Sequence, residues 1–457
     1  MPNPPFEYGR YDEGRDLDYW QVEPALAREA RRVYPGEEYA WAEPILEDFG
    51  RTVGETIAEN ADIVDKHGPE LHTFDRRGNL LNEVEYHPAQ FENERLSYET
   101  GMVADAFRAP PDREEPVGLI HTLMMQTVLS YVDAGLVCPV SMTAGAALVL
   151  RNHDEDGYYD GFLERLTTRD YDELIQGAMF LTEEQGGSDV GANETQAEPV
   201  VVPDMAGEGA VGAVDDQGEE VGADADAVGS HPEQASEEAA ERADVTRDGG
   251  IPDSRVYELT GEKWFCSNID GQGTLALARR PDAPEGTDGL SLFLVPHEFP
   301  DGELNPQRYR RLKDKLGTVS VPTGEVEFED TIGYLVGEPE RGFKYMTTML
   351  NWERVTNATG AVGIMGRALL ESKIYAANRE AFGQTIDQFP LMKRDLVEMQ
   401  VDFEAALAFA MEAGRYLDRY ERDHDDRDAF KLMRTLVPVA KHRTARMAIE
   451  TASYAME

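Results

Sequence analysis

Four short segments carry the residue types that could do chemistry. The first, MFLTEEQGGSD at 179–189, runs an apolar strand into a Gly-Gly-Ser turn. Thr182 offers a hydroxyl, and the turn at Gly187 and Ser188 offers backbone N–H groups that a ligand can approach closely, because glycine has no side chain. The second, GEKWFCSN at 261–268, sets Trp264, Phe265 and Ser267 side by side. An aromatic wall next to a hydroxyl suits a planar heteroaromatic cofactor. The third, NWER at 351–354, precedes GAVGIM at 360–365, whose small residues permit close helix packing. The fourth, REAFGQ at 379–384, spaces Arg379 and Phe382 three apart, which predicts one shared helix face. Taken singly, each segment reads equally well as packed core with solvated charge.

The elements that must position these segments fall into three blocks. Residues 1–175 read as a mostly helical domain. Ile45, Phe49, Val53 and Ile57 recur every four residues, as do Leu119 and Leu123, until Gly135 and Pro139 break the pattern. Ser141 or Thr143 is predicted to cap the helix that follows. Residues 176–335 read as a β domain, with strands in 256–261, 275–278, 291–296 and 325–329. An acidic insert at 199–250 interrupts it. Its last fifty residues contain no aromatic, and it is predicted to be a disordered loop because it cannot bury enough apolar surface. Residues 336–457 return to helical patterning over 343–378, 390–420 and 429–457. The last helix carries no stop signal, so this domain is predicted to be incomplete.

Charge excludes some functions. The 457 residues hold 43 Lys plus Arg against 89 Asp plus Glu, a net −46. Phosphate contacts are made mainly by cations, so nucleic-acid binding is disfavoured. Only 12 of the 46 charges lie in 201–250, so the acidity is global, and just nine of the cations are lysines. Such a surface repels itself unless molar salt screens it, which points to the cytoplasm of a salt-in halophile. Cys138 and Cys266 form no disulfide framework, no His or Cys spacing suggests a metal site, and no stretch is long and apolar enough to span a membrane. A GxGxxG match at Gly207, Gly209 and Gly212 lies in the acidic insert without the strand and helix a dinucleotide turn needs.

In this order, the four segments resemble the acyl-CoA dehydrogenase family, most closely its AidB-like branch. Supporting stretches are LHTFDRRGN at 71–79, EVEYHP at 83–88, CPVSMT at 138–143, LKDKLG at 312–317 and GEVEF at 324–328. The resemblance implies an α+β fold: an N-terminal helical domain, a β-barrel-like middle domain and a C-terminal helical bundle. It implies FAD between barrel and helices. Phe180, Leu181 and Thr182 would line the flavin, while Gly187 and Ser188 would meet its pyrophosphate. Phe265 stands where the family has a covering tryptophan, and Ser267 where it has a threonine. Arg379 and Phe382 would reach the FAD of a neighbouring subunit, implying a homodimer or homotetramer. Pro390 replaces a glutamine common in the family, in agreement with the AidB-like branch.

Ser188 and Arg354 would contact the acyl-CoA, whose α,β carbons are oxidised, with electron-transfer flavoprotein as acceptor. The family's usual base is a glutamate beyond residue 457; some branches place it on the 351–354 helix instead, where Glu353 matches. Two alternatives stay open: a flavin-binding subunit that is inactive or completed by a second polypeptide, and an AidB-like DNA-protective role, which the −46 opposes.

Overall fold

Glycines decide how closely the helices pack around the chain's longest element. In the computed structural model, which describes residues 6–200 and 251–457, that element is a helix of 37 residues, Gly342–Asn378. It is about 55 Å long at 1.5 Å per residue. A side chain at Gly363 would fall 2.4 Å from Ser130 Cβ, and one at Gly366 would fall 2.2 Å from the Tyr131 hydroxyl. The small residues therefore let the helix Leu119–Leu129 and the turn after it lie against the long helix. Numbered in chain order, the helices are α1 Tyr19–Val22, α2 Pro24–Val33, α3 Glu38–Thr52, α4 Ala58–Lys66, α5 Pro88–Glu99, α6 Leu119–Leu129, α7 Val137–His153, α8 Asp160–Leu166, α9 Gly342–Asn378, α10 Pro390–Arg422 and α11 Arg427–Ala455.

The spacing of Ile45, Phe49, Val53 and Ile57 does make helix, with one π-turn at Val53–Ile57 between α3 and α4. Gly54 sits where a Cβ would come within 1.7 Å of the Leu17 carbonyl, and Asn93 Nδ2 donates to the Ile57 carbonyl at 3.4 Å. Two expectations for this region are corrected. Residues 70–85, placed in the helical block, form an antiparallel hairpin of β1 Glu70–Phe74 and β2 Leu80–Glu85 around an Asp75–Asn79 turn. Ser141 and Thr143 do not cap α7, which starts four residues before Ser141. Thr143 Oγ1 instead accepts from Gly177 N at 3.0 Å, and the Ser141 hydroxyl serves the contacts described below.

The middle block is a closed barrel. Its strands are β3 Gly177–Phe180, β4 Gln196–Pro199, β5 Val256–Ser267, β6 Gly273–Arg279, β7 Leu290–Val295, β8 Gln307–Leu312 and β9 Thr323–Val336. The ring runs β6, β7, β9, β5, β4 and back to β6, the last join being one parallel pair, Gln196 with Arg279. Strand β3 flanks β6, and β8 flanks β9. Phe180, Leu259, Cys266, Phe293, Tyr309, Val326 and Phe328 fill the barrel. A second apolar layer, including Met142, Leu150, Leu292, Tyr334, Met346 and Met349, joins the barrel to α7 and α9. Residues 201–250, the bulk of the acidic insert and its GxGxxG match, lie outside the described residues.

Candidate functional site

Alternation along β3 sorts the first segment. Ala178 and Phe180 point into the barrel, while Met179 and Leu181 pack on the layer shared with α7 and α9. Phe180 is 1 % exposed and lies 6.5 Å from the Phe328 ring, so its side chain is barrel core and does not line an open site. That corrects one expectation; Leu181 and Thr182 remain half-buried beyond the strand. The Thr182 carbonyl accepts a hydrogen bond from Trp264 N at 2.8 Å, which brings the first and second segments together. Gly187 covers Thr182 so closely that a Cβ would sit 2.6 Å from the hydroxyl. Gly186 has φ +128°, and Ser188 is exposed.

Phe265 is the bulged residue of β5. The register with β9 slips between Trp264 and Cys266, and Phe265 takes φ +55°, a left-handed conformation that a bulky residue adopts at a cost of about 1–3 kcal/mol. The bulge turns the ring out of the sheet, leaving it 60 % exposed with the Lys313 ammonium 4.2 Å from its centre. Two residues on, Ser267 ends the strand and shares a 3.0 Å hydrogen bond with Thr323. Thr182 is paired at Trp264, so it stands about 10 Å along the strand from Ser267 at roughly 3.3 Å per residue.

Glu353 approaches the same place from α9. Ser141 Oγ, on α7, donates to its Oε1 at 3.0 Å and also meets Thr356 Oγ1 at 2.6 Å. Trp352, the neighbour of Glu353, is anchored by its indole N–H donating to the Ser141 carbonyl at 2.8 Å. Burial pushes the Glu353 carboxyl up to about 8, with Ser141 pulling the other way. The group is nonetheless half-buried and keeps one open side. The Cys138 thiol, on α7, feels both Glu353 and Ser267. Burial and then the Glu353 charge push it up to about 12, while Lys315 and a hydrogen bond with the Ser267 hydroxyl oppose them. Arg354 is exposed and donates to Asn351 Oδ1 at 3.3 Å.

The fourth segment is not helical. Helix α9 ends at Asn378, and residues 380–385 form a hairpin of β10 Glu380–Ala381 and β11 Gln384–Thr385. Phe382 and Gly383 hold φ +51° and +85° in its two-residue turn, as a type I′ turn requires. Arg379 and Phe382 therefore do not share a helix face. Phe382 is 98 % exposed at the tip, beside a cleft of about 820 Å³ lined by Tyr375, Arg379, Phe389, Leu391 and Tyr454. Along α9, Arg379 is roughly 39 Å from Glu353 at 1.5 Å per residue. Within one chain the two ends serve different places.

Two residues inside the quoted segments went unread. Glu183 and Lys263 form a buried ion pair at 2.6 Å beneath Thr182 and Trp264. Each stands one position from a bridged residue with a glutamate beside it in sequence, Glu184 and Glu262, so neither charge stands out before its partner is seen. Among the described residues no group of three or more His, Cys, Asp or Glu could hold a metal ion, and no helix is long and apolar enough to cross a membrane.

These features can be tested against FAD. Gly187 lies against the Thr182 hydroxyl with no room for a Cβ, the Phe265 ring is turned outward as a wall, and Ser267 presents a hydroxyl at the strand end. A planar ring with polar edges fits that set. Gly187→Ala is expected to force the Thr182 side chain aside and weaken FAD binding by about ten-fold, read by fluorescence titration, with little change in thermal stability.

Comparison with known proteins agrees with the architecture. Residues 11–173 match the adaptive response protein AidB N-terminal domain, and residues 340–457 match the acyl-CoA dehydrogenase C-terminal domain. The chain is 28 % identical to acyl-CoA dehydrogenase family member 11 of Caenorhabditis elegans over 96 % of its own length and 64 % of that protein. It is 28 % identical to the putative acyl-CoA dehydrogenase AidB of Escherichia coli over 92 % of its length and 68 % of that protein. The crystal structure of C. elegans ACDH-11 in complex with C11-CoA superposes with a TM-score of 0.78 at 25 % identity, covering 98 % of this chain and 68 % of that one. The chain thus spans about two thirds of the length of the curated relatives it matches.

Proposed function

We propose that the chain is an acyl-CoA dehydrogenase with an AidB-type N-terminal domain, and that it oxidises an acyl-CoA thioester at its α,β carbons with Glu353 as the base. The observation that carries this reading is the Glu353 carboxyl. It is recessed on α9, raised to about 8 by burial, and held by Ser141 Oγ at 3.0 Å.

The α-proton of a thioester is weakly acidic, so its removal needs a base of high proton affinity and a polarised carbonyl. Raising a carboxyl to about 8 supplies the first requirement. Ser141 holds Glu353 by one oxygen, which leaves the other free to take the proton. Bound FAD would accept the β-hydride, so that the α,β bond becomes a double bond as the proton passes to Glu353. Thr182, Gly187 and Ser188 would hold the cofactor from the barrel side, Leu181 would line it, and Phe265 and Ser267 would set its ring. Trp352 packs α9 on α7, so Glu353 and Ser141 move as one unit. Arg354, exposed one residue on, would meet the phosphates of CoA together with Ser188.

Arg379 and Phe382 would complete the FAD site of a second subunit, in a homodimer or homotetramer. The span of α9 and the exposed hairpin tip support that reading. Electrons would leave to an electron-transfer flavoprotein. The net −46 supports a saline cytoplasm, so assays belong in molar KCl.

Ser141→Ala tests the tuning of the base. The hydrogen bond it removes lowers the Glu353 pKa, so its loss moves the apparent pKa of kcat/KM upward. Turnover at neutral pH is expected to fall and to recover in alkali; an unshifted profile would detach Glu353 from the chemistry.

A further inference from the structure

The loop that carries Thr182, Gly187 and Ser188 leaves β3 and returns at β4. Its outer residues Glu184, Gln185, Gly187, Ser188 and Asp189 are exposed, yet Glu183 is 3 % exposed. The Glu183 carboxylate accepts five hydrogen bonds. They come from Lys263 Nζ at 2.6 Å, Thr195 Oγ1 at 2.6 Å, Glu194 N at 2.6 Å, Thr195 N at 3.2 Å and Gln185 Nε2 at 3.2 Å. Lys263 lies in mid-β5 with no solvent exposure, and its Nζ also donates to the Leu277 carbonyl of β6 at 2.7 Å. One ion pair therefore ties together both ends of the loop, β5 and β6. The residues adjoining it are the bridged pair Thr182 and Trp264, and the Phe265 bulge begins two positions beyond Lys263.

We propose that Glu183 and Lys263 are positioning residues that hold the Thr182–Ser188 loop and the Phe265–Ser267 strand end in one relative placement, so that FAD binds in a single orientation. The inference rests on the reading of these two segments as the FAD site. Burial pushes the Lys263 ammonium down against the pull of Glu183, and Lys263 with the loop donors holds Glu183 below its ordinary value in spite of burial. Burying this pair carries a desolvation cost that a well-packed apolar pair would avoid. Apolar packing is non-directional, whereas five convergent donors fix the path of a loop. Fixing that path is what the pair adds.

The test compares wild type, Glu183→Gln, Lys263→Met and the double variant. The readouts are thermal stability of the FAD-free chain, FAD affinity and the visible circular dichroism of bound flavin. Lys263→Met strands a buried carboxylate and is expected to lose stability and affinity together. Glu183→Gln keeps one acceptor oxygen, sets an NH2 against the donors of the other, and leaves the buried Lys263 ammonium without its counter-charge, so it too is expected to lose stability and affinity. The double variant is expected to recover stability and still bind FAD at least about ten-fold more weakly, with an altered dichroism spectrum. Recovery of affinity and spectrum along with stability would overturn the positioning role and leave the FAD site standing. A wild-type chain that takes up no FAD would overturn both.

Discussion

Glu353→Gln is expected to lower acyl-CoA turnover by about 10³-fold while FAD and acyl-CoA still bind, because glutamine keeps the shape and the Ser141 contact but cannot take a proton. In the wild type, kcat/KM should rise with pH and level off above about pH 8, following ionisation of the buried carboxyl. At pH 7 only roughly a tenth of the free enzyme would carry the ionised base. Stability should run in the opposite direction. The folded-state pKa lies above the ordinary 4.5, so the contribution of Glu353 to stability is fully present below pH 4.5 and is lost as pH rises toward 8. Glu353→Gln never pays that cost. Its melting temperature relative to wild type should therefore climb between those limits and stay flat above them. A variant that is inactive yet relatively more stable in alkali would identify the residue as a base held in its charged form against the preference of the fold.

Removing the hairpin contacts, with Arg379→Ala and Phe382→Ser together, is the second large effect. FAD affinity is expected to fall by about 100-fold, since an Arg beside a pyrophosphate and an aromatic anchor are both lost. The chain itself should fold, because Phe382 is 98 % exposed and the Arg379 side chain hydrogen-bonds the exposed Tyr375 hydroxyl at 3.0 Å. Mixed assemblies then separate action within a chain from action between chains. Chains carrying Glu353→Gln have an intact hairpin, and chains carrying the hairpin changes have an intact base. If the hairpin serves the neighbouring subunit, a hybrid contains one complete site and regains activity that neither parent shows. If it serves its own chain, every site in the hybrid lacks one part and no activity returns.

What could be read in the sequence follows from how local each signal is. The three C-terminal helices stand at 342–378, 390–422 and 427–455, because long segments of helix-forming residues with clear breaks between them declare themselves. Phe180 was misplaced because period-2 alternation has a phase. A motif says that a strand is present, and only the barrel says which face is inside. Arg379 and Phe382 depart from the helix face that their spacing predicts because α9 has ended at Asn378 and Gly383 closes a two-residue hairpin turn. The β1–β2 hairpin was legible, with alternating strands around an Asp-Arg-Arg-Gly-Asn turn, but the helices on either side dominated the reading. Glu183 and Lys263 could not be paired from sequence, since 80 residues separate them and a buried charge looks like a surface one until its partner is seen. The same holds for the meeting of Cys138, Ser267 and Glu353, which come from α7, β5 and α9.

The most direct test is an anaerobic titration of the purified chain in molar KCl, followed in the visible spectrum. The chain should carry FAD, and at least one of a panel of acyl-CoAs should bleach the flavin band with formation of the α,β-unsaturated thioester. Glu353→Gln should keep the band and fail to bleach it. A colourless chain that takes up no FAD, or a wild-type flavin that no acyl-CoA bleaches, would contradict the assignment.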